Sequence, residues 1–369
     1  MKASDNLVSR LKDLTGSDNG LMLGRGTTAL ALALRAIRLM SQKTTIIMPA
    51  ISCAALPQVA LYEGFKISYC DVNLTNLGFD VEQFSKKKFD DVAAVLVVYQ
   101  FGMASDIDLL KNIVSFKSSH RVFFIEDICQ AFGGTFKSSP LGSKSDFSIS
   151  SFGGGKIVSV SSGGGFLGVR GHDCFEAVTD SFLRLSLNSL DPKIQAHLSL
   201  SHRNFYHSVV DLKRIKVESQ LRFSEKIVEL YRKLYYVGYN HKSTKLISSG
   251  LANLSENLRD RLMKAQIYAE HFTNIESIKL FDWSGSGCLW RFILLVRSAD
   301  DQYMLTSALR RQGYDVSNHY WSLPDIFGKN GSYGNTEYYQ ERVLNLWVDA
   351  TYDNKKARML AQDFRRIFS

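Results

Sequence analysis

The chain has 369 residues, of which 45% are hydrophobic and 22% are charged. This composition excludes a disordered chain, a collagen-like repeat and a disulfide scaffold, and it can bury one large core and a second, smaller one. The formal charge of +9 is compatible with an anionic substrate or with solubility alone. Because no helix-turn-helix, zinc-finger or RNA-binding pattern accompanies the charge, we expect no nucleic-acid partner.

The amino-terminal residues, the apolar stretches and the cysteines predict the compartment. Residues 1–16 are polar and carry charges of both signs, so they do not resemble a signal peptide. The most apolar stretch, residues 92–99, is far too short to cross a bilayer. Five scattered cysteines form no CxxC pair and no metal-ligand spacing, which is typical of reduced thiols. We therefore expect a cytoplasmic protein with no membrane partner and no metal site.

Helical and strand patterns alternate along the first half of the chain. Apolar residues at helical spacing predict helices at residues 28–40, 54–63 and 106–116. Short apolar runs rich in β-branched residues predict strands at residues 44–48, 66–72, 92–99, 121–127, 147–152 and 164–170. This alternation predicts an α/β domain with a mostly parallel sheet covered by helices on both faces.

Longer helical patterns fill much of the second half. Residues 174–239 are mainly helical in pattern, and more helices follow. A strand is predicted at residues 289–296 and a final helix at residues 354–368. We predict a large domain over residues 1–240 and a smaller α+β domain over residues 241–369.

An acidic residue closes one predicted strand. In open α/β sheets, ligands collect beyond the carboxyl ends of the strands. Asp127 stands at that point, because it closes the strand RVFFIED. Such a carboxylate can be a metal ligand, a cap or a catalytic group, and the residues alone leave these roles open.

Glycines precede two further candidate sites. Gly26 opens the first long helix ahead of Thr27 and Thr28. The positive end of a helix suits a phosphate, although threonine there can simply cap the helix. Three glycines precede Lys156, so a flat ligand can approach the backbone beside an amine able to form a Schiff base. A surface loop is the alternative reading of that segment, and Ile157 after the lysine excludes a P-loop.

Taken together, these segments resemble the DegT/StrS-type sugar aminotransferases, which belong to fold type I of the pyridoxal-phosphate (PLP) enzymes. GTTAL from Gly26 is similar to the family's GT-x-AL near the cofactor phosphate. EDICQAFGGTFKSSPLGSKSDFSISSFGGGK, which ends at Lys156, is similar to the family's EDxAQAxGAxxxGxxxGxxGDxxxFSFxxxK and needs no gap. The resemblance implies a three-layer αβα large domain with a mostly parallel sheet and a smaller C-terminal α+β domain.

The resemblance carries specific roles onto this sequence. Lys156 would hold PLP as a Schiff base and act as general base and acid. Asp127 would keep the pyridine nitrogen protonated so that the ring can accept electrons. The other implied cofactor contacts are Gly26, Thr27, Thr28 and Ser151 at the phosphate, Cys53 at the stacking position, Gln130 near the ring oxygen, and Asn240 from a partner subunit. Asn240 thereby implies a homodimer with shared active sites.

The sequence departs from the family at several positions. Cys53 stands where an aromatic ring usually stacks on PLP, and Phe132 stands where a polar residue is common. The stretch from Lys156 to Asn240 is longer than usual, which predicts a helical insertion at about residues 182–229. These changes mark a divergent member of the family and leave its substrate open.

The implied function is transfer of an amino group, with L-glutamate as donor, to a keto or aldehydo sugar. In most of the family that sugar is linked to a nucleotide and serves polysaccharide or amino-sugar biosynthesis. His319 and Tyr320 are candidate sugar contacts, with an aromatic core as the alternative. A PLP-dependent sugar dehydratase and a non-catalytic binding or regulatory protein are the other hypotheses. Lys156 argues against both, because such dehydratases carry histidine there and a binding protein needs no Schiff-base lysine.

Overall fold

The computed structural model describes residues 2–189, 191, 193–194, 197–198, 200–201, 231–328 and 331–368. Most of the predicted helical insertion at residues 182–229 lies outside these described residues, so it stays a prediction. The boundary predicted between residues 240 and 241 also stays a prediction.

A seven-stranded sheet organises the first part of the chain. The strands up to residue 169 are β1 (Asn19–Leu23), β2 (Thr45–Pro49), β3 (Lys66–Cys70), β4 (Val92–Val98), β5 (Phe123–Asp127), β6 (Thr135–Phe136), β7 (Ser139–Pro140), β8 (Phe147–Ser151) and β9 (Gly165–Val169). The sheet has the order β1-β9-β8-β5-β4-β2-β3, and β6 and β7 form a separate small hairpin. Strands β8, β5, β4, β2 and β3 are parallel, whereas β9 and β1 add an antiparallel edge. The predicted mainly parallel sheet is confirmed, and β1 is a strand that the apolar pattern did not reveal.

Helices cover both faces of this sheet. They are α1 (Lys2–Thr15), α2 (Gly26–Met40), α3 (Ala55–Tyr62), α4 (Val81–Ser85), α5 (Ile107–Lys117) and α6 (His172–Leu183). Every residue of β4 is buried, as expected of a central strand covered on both faces. Leu96 and Val98 belong to the core with α2 and α3, whereas Val95 and Val97 belong to the core with α1 and α5. The alternation along β4 therefore produces the predicted three layers.

A second, antiparallel sheet organises the C-terminal part. Its strands are β10 (Lys279–Leu280), β11 (Arg291–Leu295), β12 (Val316–Ser317) and β13 (Val343–Trp347), in the order β10-β11-β13-β12. The helices are α7 (Ser243–Ala252), α8 (Leu254–Phe272), α9 (Ala299–Arg311), α10 (Leu323–Phe327), α11 (Gly334–Gln340) and α12 (Asn354–Phe368). The smaller α+β unit is thus confirmed, and α12 has the predicted bounds. β11 begins two residues after the predicted start at 289, which leaves Trp290 outside the strand.

Two further features of the described residues concern membrane-spanning helices and metal-binding groups. None of their helices combines the length and the apolar character that a membrane span requires. Within the same residues, no group of three or more histidine, cysteine or acidic side chains is placed to bind a metal ion. All five cysteines are free thiols, in agreement with the prediction from their spacing.

Candidate functional site

Most of the predicted site residues meet at the carboxyl edge of the large sheet. Strand β5 ends at Asp127, and its parallel neighbour β8 ends at Ser151, five residues before Lys156. The first helix turn of α2, beginning at Gly26, packs against the same edge. A β-carbon on Gly26 would lie 3.1 Å from the Ser151 β-carbon and 3.2 Å from the Cys129 sulfur. Glycine therefore permits the close approach of α2 to the two strand ends.

Asp127 is a buried carboxylate with one strong local donor. The residue is 6% exposed, and its Oδ1 accepts the Cys129 N–H at 2.9 Å. Burial raises the pKa of Asp127, while the hydrogen bonds from Cys129 and the charge of Lys156 oppose that shift. Lys156 is thus close enough for its charge to act on Asp127.

The amine of Lys156 lies over an aromatic ring. Its Nζ is 5.2 Å from the centroid of the Trp290 ring, which is within range of a cation–π interaction. Its charge also acts on the pKa values of Cys53 and Cys129. The amine of the half-buried Lys156 is therefore directed to a group of ionisable side chains.

The N-terminus of α2 offers backbone donors. Arg25 precedes the helix without a side-chain cap, and no acidic residue lies in the first turn. The Thr27 hydroxyl donates to the Leu234 carbonyl at 3.0 Å, and the Thr28 hydroxyl accepts the Val237 N–H at 3.1 Å. Both hydroxyls are therefore engaged by the segment at residues 234–237. The N–H groups of the first helical turn are the donors that remain for an anion.

Ser151 complements those backbone donors. Its side chain is half-buried beside Gly26. In the part of the chain that the structure describes, its hydroxyl makes no hydrogen bond, so it is open to a ligand. The helix N-terminus and this hydroxyl together form a site with the chemistry of a phosphate pocket.

Cys53 lies among the charged groups of the site. Its thiol is partly accessible and accepts the Ala55 N–H at the start of α3. Burial raises the pKa of Cys53, and the charges of Lys156 and Arg25 partly oppose that effect. The side chain is therefore a small neutral thiol at neutral pH. Burial also lowers the pKa of Arg25, which remains a cation because arginine ordinarily titrates far above neutrality.

Gln130 ties the site to a group of aromatic rings. Its Oε1 accepts the Phe101 N–H at 2.8 Å, and its Nε2 donates to the Tyr320 hydroxyl at 3.2 Å. The rings of Phe101, Trp290 and Tyr320, here called the aromatic wall, have centroids 5.7 to 6.3 Å apart. Tyr320 therefore reaches the site, and His319 stands beside it with ring centroids 5.3 Å apart.

Asn240 stands apart from these contacts within the chain. Its Oδ1 accepts the Lys242 N–H at 3.0 Å, which closes the turn leading into α7. The contact predicted between Asn240 and the cofactor of a partner subunit stays a prediction.

Three members of the site were not identified from the sequence. Arg25 lies one residue before the predicted phosphate motif, and Cys129 lies inside the strand-end motif, so adjacency to Gly26 and Asp127 was an available signal. Trp290 had no comparable signal, because it follows Lys156 by 134 residues and only the folded chain brings the two together.

Comparisons with known proteins agree with this geometry. The sequence profile described as the DegT/DnrJ/EryC1/StrS aminotransferase family matches residues 2–364. GDP-perosamine synthase of Escherichia coli O157:H7 is 24% identical over 292 residues, which cover 78% of this chain and 68% of that protein. UDP-4-amino-4,6-dideoxy-N-acetyl-beta-L-altrosamine transaminase of Campylobacter jejuni is 28% identical over 165 residues, covering 44% of this chain and 43% of that protein.

A solved structure shares the fold over nearly the whole chain. The proposed sugar aminotransferase Spr1654 from Streptococcus pneumoniae, in its PLP-form, has a TM-score of 0.78 at 17% identity. The superposition covers 99% of this chain and 91% of that one. At this identity the likeness establishes the fold.

Proposed function

The chain belongs to the DegT/DnrJ/EryC1/StrS aminotransferase family, and from that membership we propose that it moves an amino group from L-glutamate to a keto sugar linked to a nucleotide. The observation that carries the proposal is the convergence of Lys156 and the buried Asp127 at the carboxyl edge of the sheet. The E. coli and C. jejuni relatives support the acceptor class, since their names specify a GDP-linked and a UDP-linked amino sugar.

The residues at this edge fit PLP. The N–H groups at the start of α2 and the Ser151 hydroxyl would bind its phosphate, and the Asp127 carboxylate would face its ring nitrogen. Lys156 supplies the amine that would attach it. Gln130 would lie near the ring oxygen, and Cys53 would take the stacking position beside Lys156. When bound, PLP supplies a carbonyl that carries nitrogen and a ring that accepts electrons.

The chain's own groups would then perform the proton transfers. Asp127 would hold a proton on the ring nitrogen, because a buried carboxylate stabilises a cation within contact distance. The Lys156 Nζ would remove the proton from the α-carbon of the donor in the first half of the reaction. In the second half it would deliver a proton to the carbon of the sugar that receives the amino group. Trp290 and the other rings of the aromatic wall would exclude water from that side.

The first test is the visible absorbance of the purified protein, before and after L-glutamate. We expect a cofactor band in the wild type that is lost with glutamate, and no such band in Lys156→Ala. Lys137→Ala is the matched control, because Lys137 is an exposed lysine paired with Asp106. A wild-type protein without a band after addition of PLP would contradict the proposal and favour the binding-protein alternative.

The acceptor and the dehydratase alternative are tested on the same sample. Keto sugars linked to GDP or UDP should restore the band after glutamate has removed it. Mass spectrometry of the product then separates the two reactions, since an aminotransferase leaves nitrogen on the sugar and a dehydratase does not.

A homodimer with shared sites is also part of this proposal. If Asn240 acts across the interface, a mixture of Lys156→Ala and Asn240→Ala subunits forms one complete site per heterodimer. The mixture should then recover activity that neither variant has alone. Unchanged inactivity after subunit exchange, verified by differently tagged chains, would assign Asn240 to its own subunit. The cytoplasmic location stays a prediction from the sequence.

A further inference from the structure

The segment that carries Lys156 has little rigidity of its own. Gly153, Gly154 and Gly155 precede the lysine, Gly154 is exposed, and Gly155 has a φ of +79°. Glycine has the largest backbone freedom of any residue. Within the segment, the Lys156 N–H donates to the Gly153 carbonyl at 3.2 Å and the Gly155 N–H donates to the Ser159 hydroxyl at 3.0 Å. Contacts made from outside the segment therefore act on a backbone with few restraints of its own.

Two side chains from the C-terminal part bind the carbonyl groups on either side of Lys156. The indole Nε1 of Trp290 donates to the Gly155 carbonyl at 2.6 Å. The side-chain amide of Asn257 donates to the Ile157 carbonyl at 2.7 Å. The first bond holds the peptide group that precedes Lys156, and the second holds the peptide group that follows Ile157, so the backbone is restrained on both sides of the lysine.

Arg261 joins these two donors. Its Nε donates to the Asn257 Oδ1 at 2.7 Å, and its Nη1 donates to the Trp290 carbonyl at 3.1 Å. The side chain is 2% exposed, so these bonds from a guanidinium operate without competition from water. Asn257, Arg261 and Trp290 thus form one connected unit, here called the lysine clamp. Together with the backbone from Gly155 to Ile157, it forms a closed ring of hydrogen bonds that includes Lys156.

Trp290 is the member that also contacts the amine. The Lys156 Nζ lies 5.2 Å from its ring centroid, and the ring is stacked against both Phe101 and Tyr320. The Trp290 backbone N–H donates to the Phe101 carbonyl at 2.7 Å, which fixes the backbone as well. The face presented to Lys156 therefore has a defined place and orientation.

We propose that the lysine clamp positions Lys156, and that Trp290 is the positioning residue through which the C-terminal sheet sets the place of the amine. The inference rests on the proposed function, in which Lys156 is the cofactor lysine. Trp290 acts through Lys156: its indole N–H holds the backbone, and its ring retains the ammonium near Asp127 when the amine is not attached to cofactor.

The test compares Trp290→Phe with wild type as cofactor-loaded proteins. Phenylalanine keeps a ring and removes the indole N–H. Loss of one such bond should slow the glutamate-dependent loss of the visible band about fivefold to tenfold and change the induced circular dichroism of that band. Cofactor content, measured by borohydride reduction and mass spectrometry of the Lys156 peptide, should stay near that of wild type.

Two further variants control this comparison. Trp283→Phe makes the same substitution at a partly buried tryptophan against Phe292 in the C-terminal core, and it should react at the wild-type rate. Asn257→Asp keeps the acceptor for Arg261 and removes the donor to Ile157, so it should slow the reaction as Trp290→Phe does. It also answers the question if Trp290→Phe does not fold.

The outcomes separate the inference from the proposed function. If Trp290→Phe and Asn257→Asp carry cofactor on Lys156 and react at the wild-type rate with an unchanged dichroic band, the clamp has no positioning role, while the proposed function stands. If wild-type protein carries no cofactor on Lys156, both proposals are wrong.

Discussion

The side-chain amide of Gln130 donates to the hydroxyl of Tyr320 at 3.2 Å, across 190 positions of sequence. The other end of the same amide accepts the Phe101 N–H at 2.8 Å. One side chain thus joins the loop after β5, the loop after β4 and the C-terminal segment that follows β12. The place of Tyr320, a candidate sugar contact, is therefore set by a residue of the cofactor motif.

This relationship predicts a measurable coupling. Gln130→Ala should cost about 1–3 kcal/mol of unfolding free energy, because it leaves the buried Phe101 N–H without an acceptor. Tyr320→Phe keeps the ring and should cost less. In a double-mutant cycle read by urea denaturation, we expect a coupling energy of about 1 kcal/mol. Strictly additive effects would show that the bond contributes nothing to stability.

Asp127→Asn should have opposite effects on activity and stability. We expect kcat to fall about 100-fold, because the amide cannot supply the negative charge that the ring nitrogen needs. Burial raises the pKa of Asp127 in the folded chain, so its ionisation destabilises the cofactor-free protein as pH rises through that pKa. The variant should therefore melt higher than wild type at pH 7, and the difference should vanish at a pH below the ordinary pKa of about 3.9. A melting temperature of the variant below that of wild type at pH 7 would contradict the prediction that ionisation of Asp127 destabilises the cofactor-free protein.

The identity of residue 53 should control cofactor retention. Cys53 lies beside Lys156 at the position where the family places an aromatic ring, and its thiol offers no stacking surface. Cys53→Tyr should lower the dissociation constant of PLP about twofold to tenfold, the range that aromatic stacking contributes. Absorbance titration measures the constant, with Cys53→Ser as the size-matched control. Equal dissociation constants for wild type and Cys53→Tyr would mean that another group, such as the aromatic wall, already packs against that face of the cofactor ring.

The ion pair of Arg291 and Asp349 should stabilise the fold in a pH-dependent way. The two groups are 2.9 Å apart, and their side chains are 7% and 13% exposed. Burial raises the pKa of Asp349, but the opposing effects of Arg291, of the Thr351 hydroxyl and N–H, and of Arg261 are together larger. The pKa of Asp349 is therefore lowered overall. The pair's contribution is therefore present at neutral pH and lost as pH falls through the folded-state pKa, below about 3.9.

Asp349→Asn should accordingly cost about 3 kcal/mol at pH 7, since it leaves a buried guanidinium without its counter-charge. The difference between the urea midpoints of variant and wild type should shrink as pH falls below about 3.9. Asp173→Asn is the matched control, because Asp173 pairs with Arg121 at a half-exposed site where such pairs contribute less than about 1 kcal/mol. A constant difference from pH 7 to pH 3 would mean that the variant acts by packing and not by charge.

Local patterns determined many of the elements and two members of the site. The apolar run of β4, the helical spacing of α12 and the position of Asp127 at the end of β5 follow from neighbours within a few residues. Such signals are readable in the sequence because helix and strand periodicity is a short-range property. The three consecutive glycines ahead of Lys156 likewise distinguish this lysine from the others by sequence alone.

Only the tertiary structure decided which side chains meet. Trp290 reaches Gly155 and Lys156 across more than 130 residues, and Gln130 reaches Tyr320 across 190. The threonine hydroxyls after Gly26 could equally have faced a ligand, but in the fold they bind the chain at residues 234 and 237. Contacts of this kind depend on the path of the whole chain and on the packing of two sheets, which no local pattern encodes.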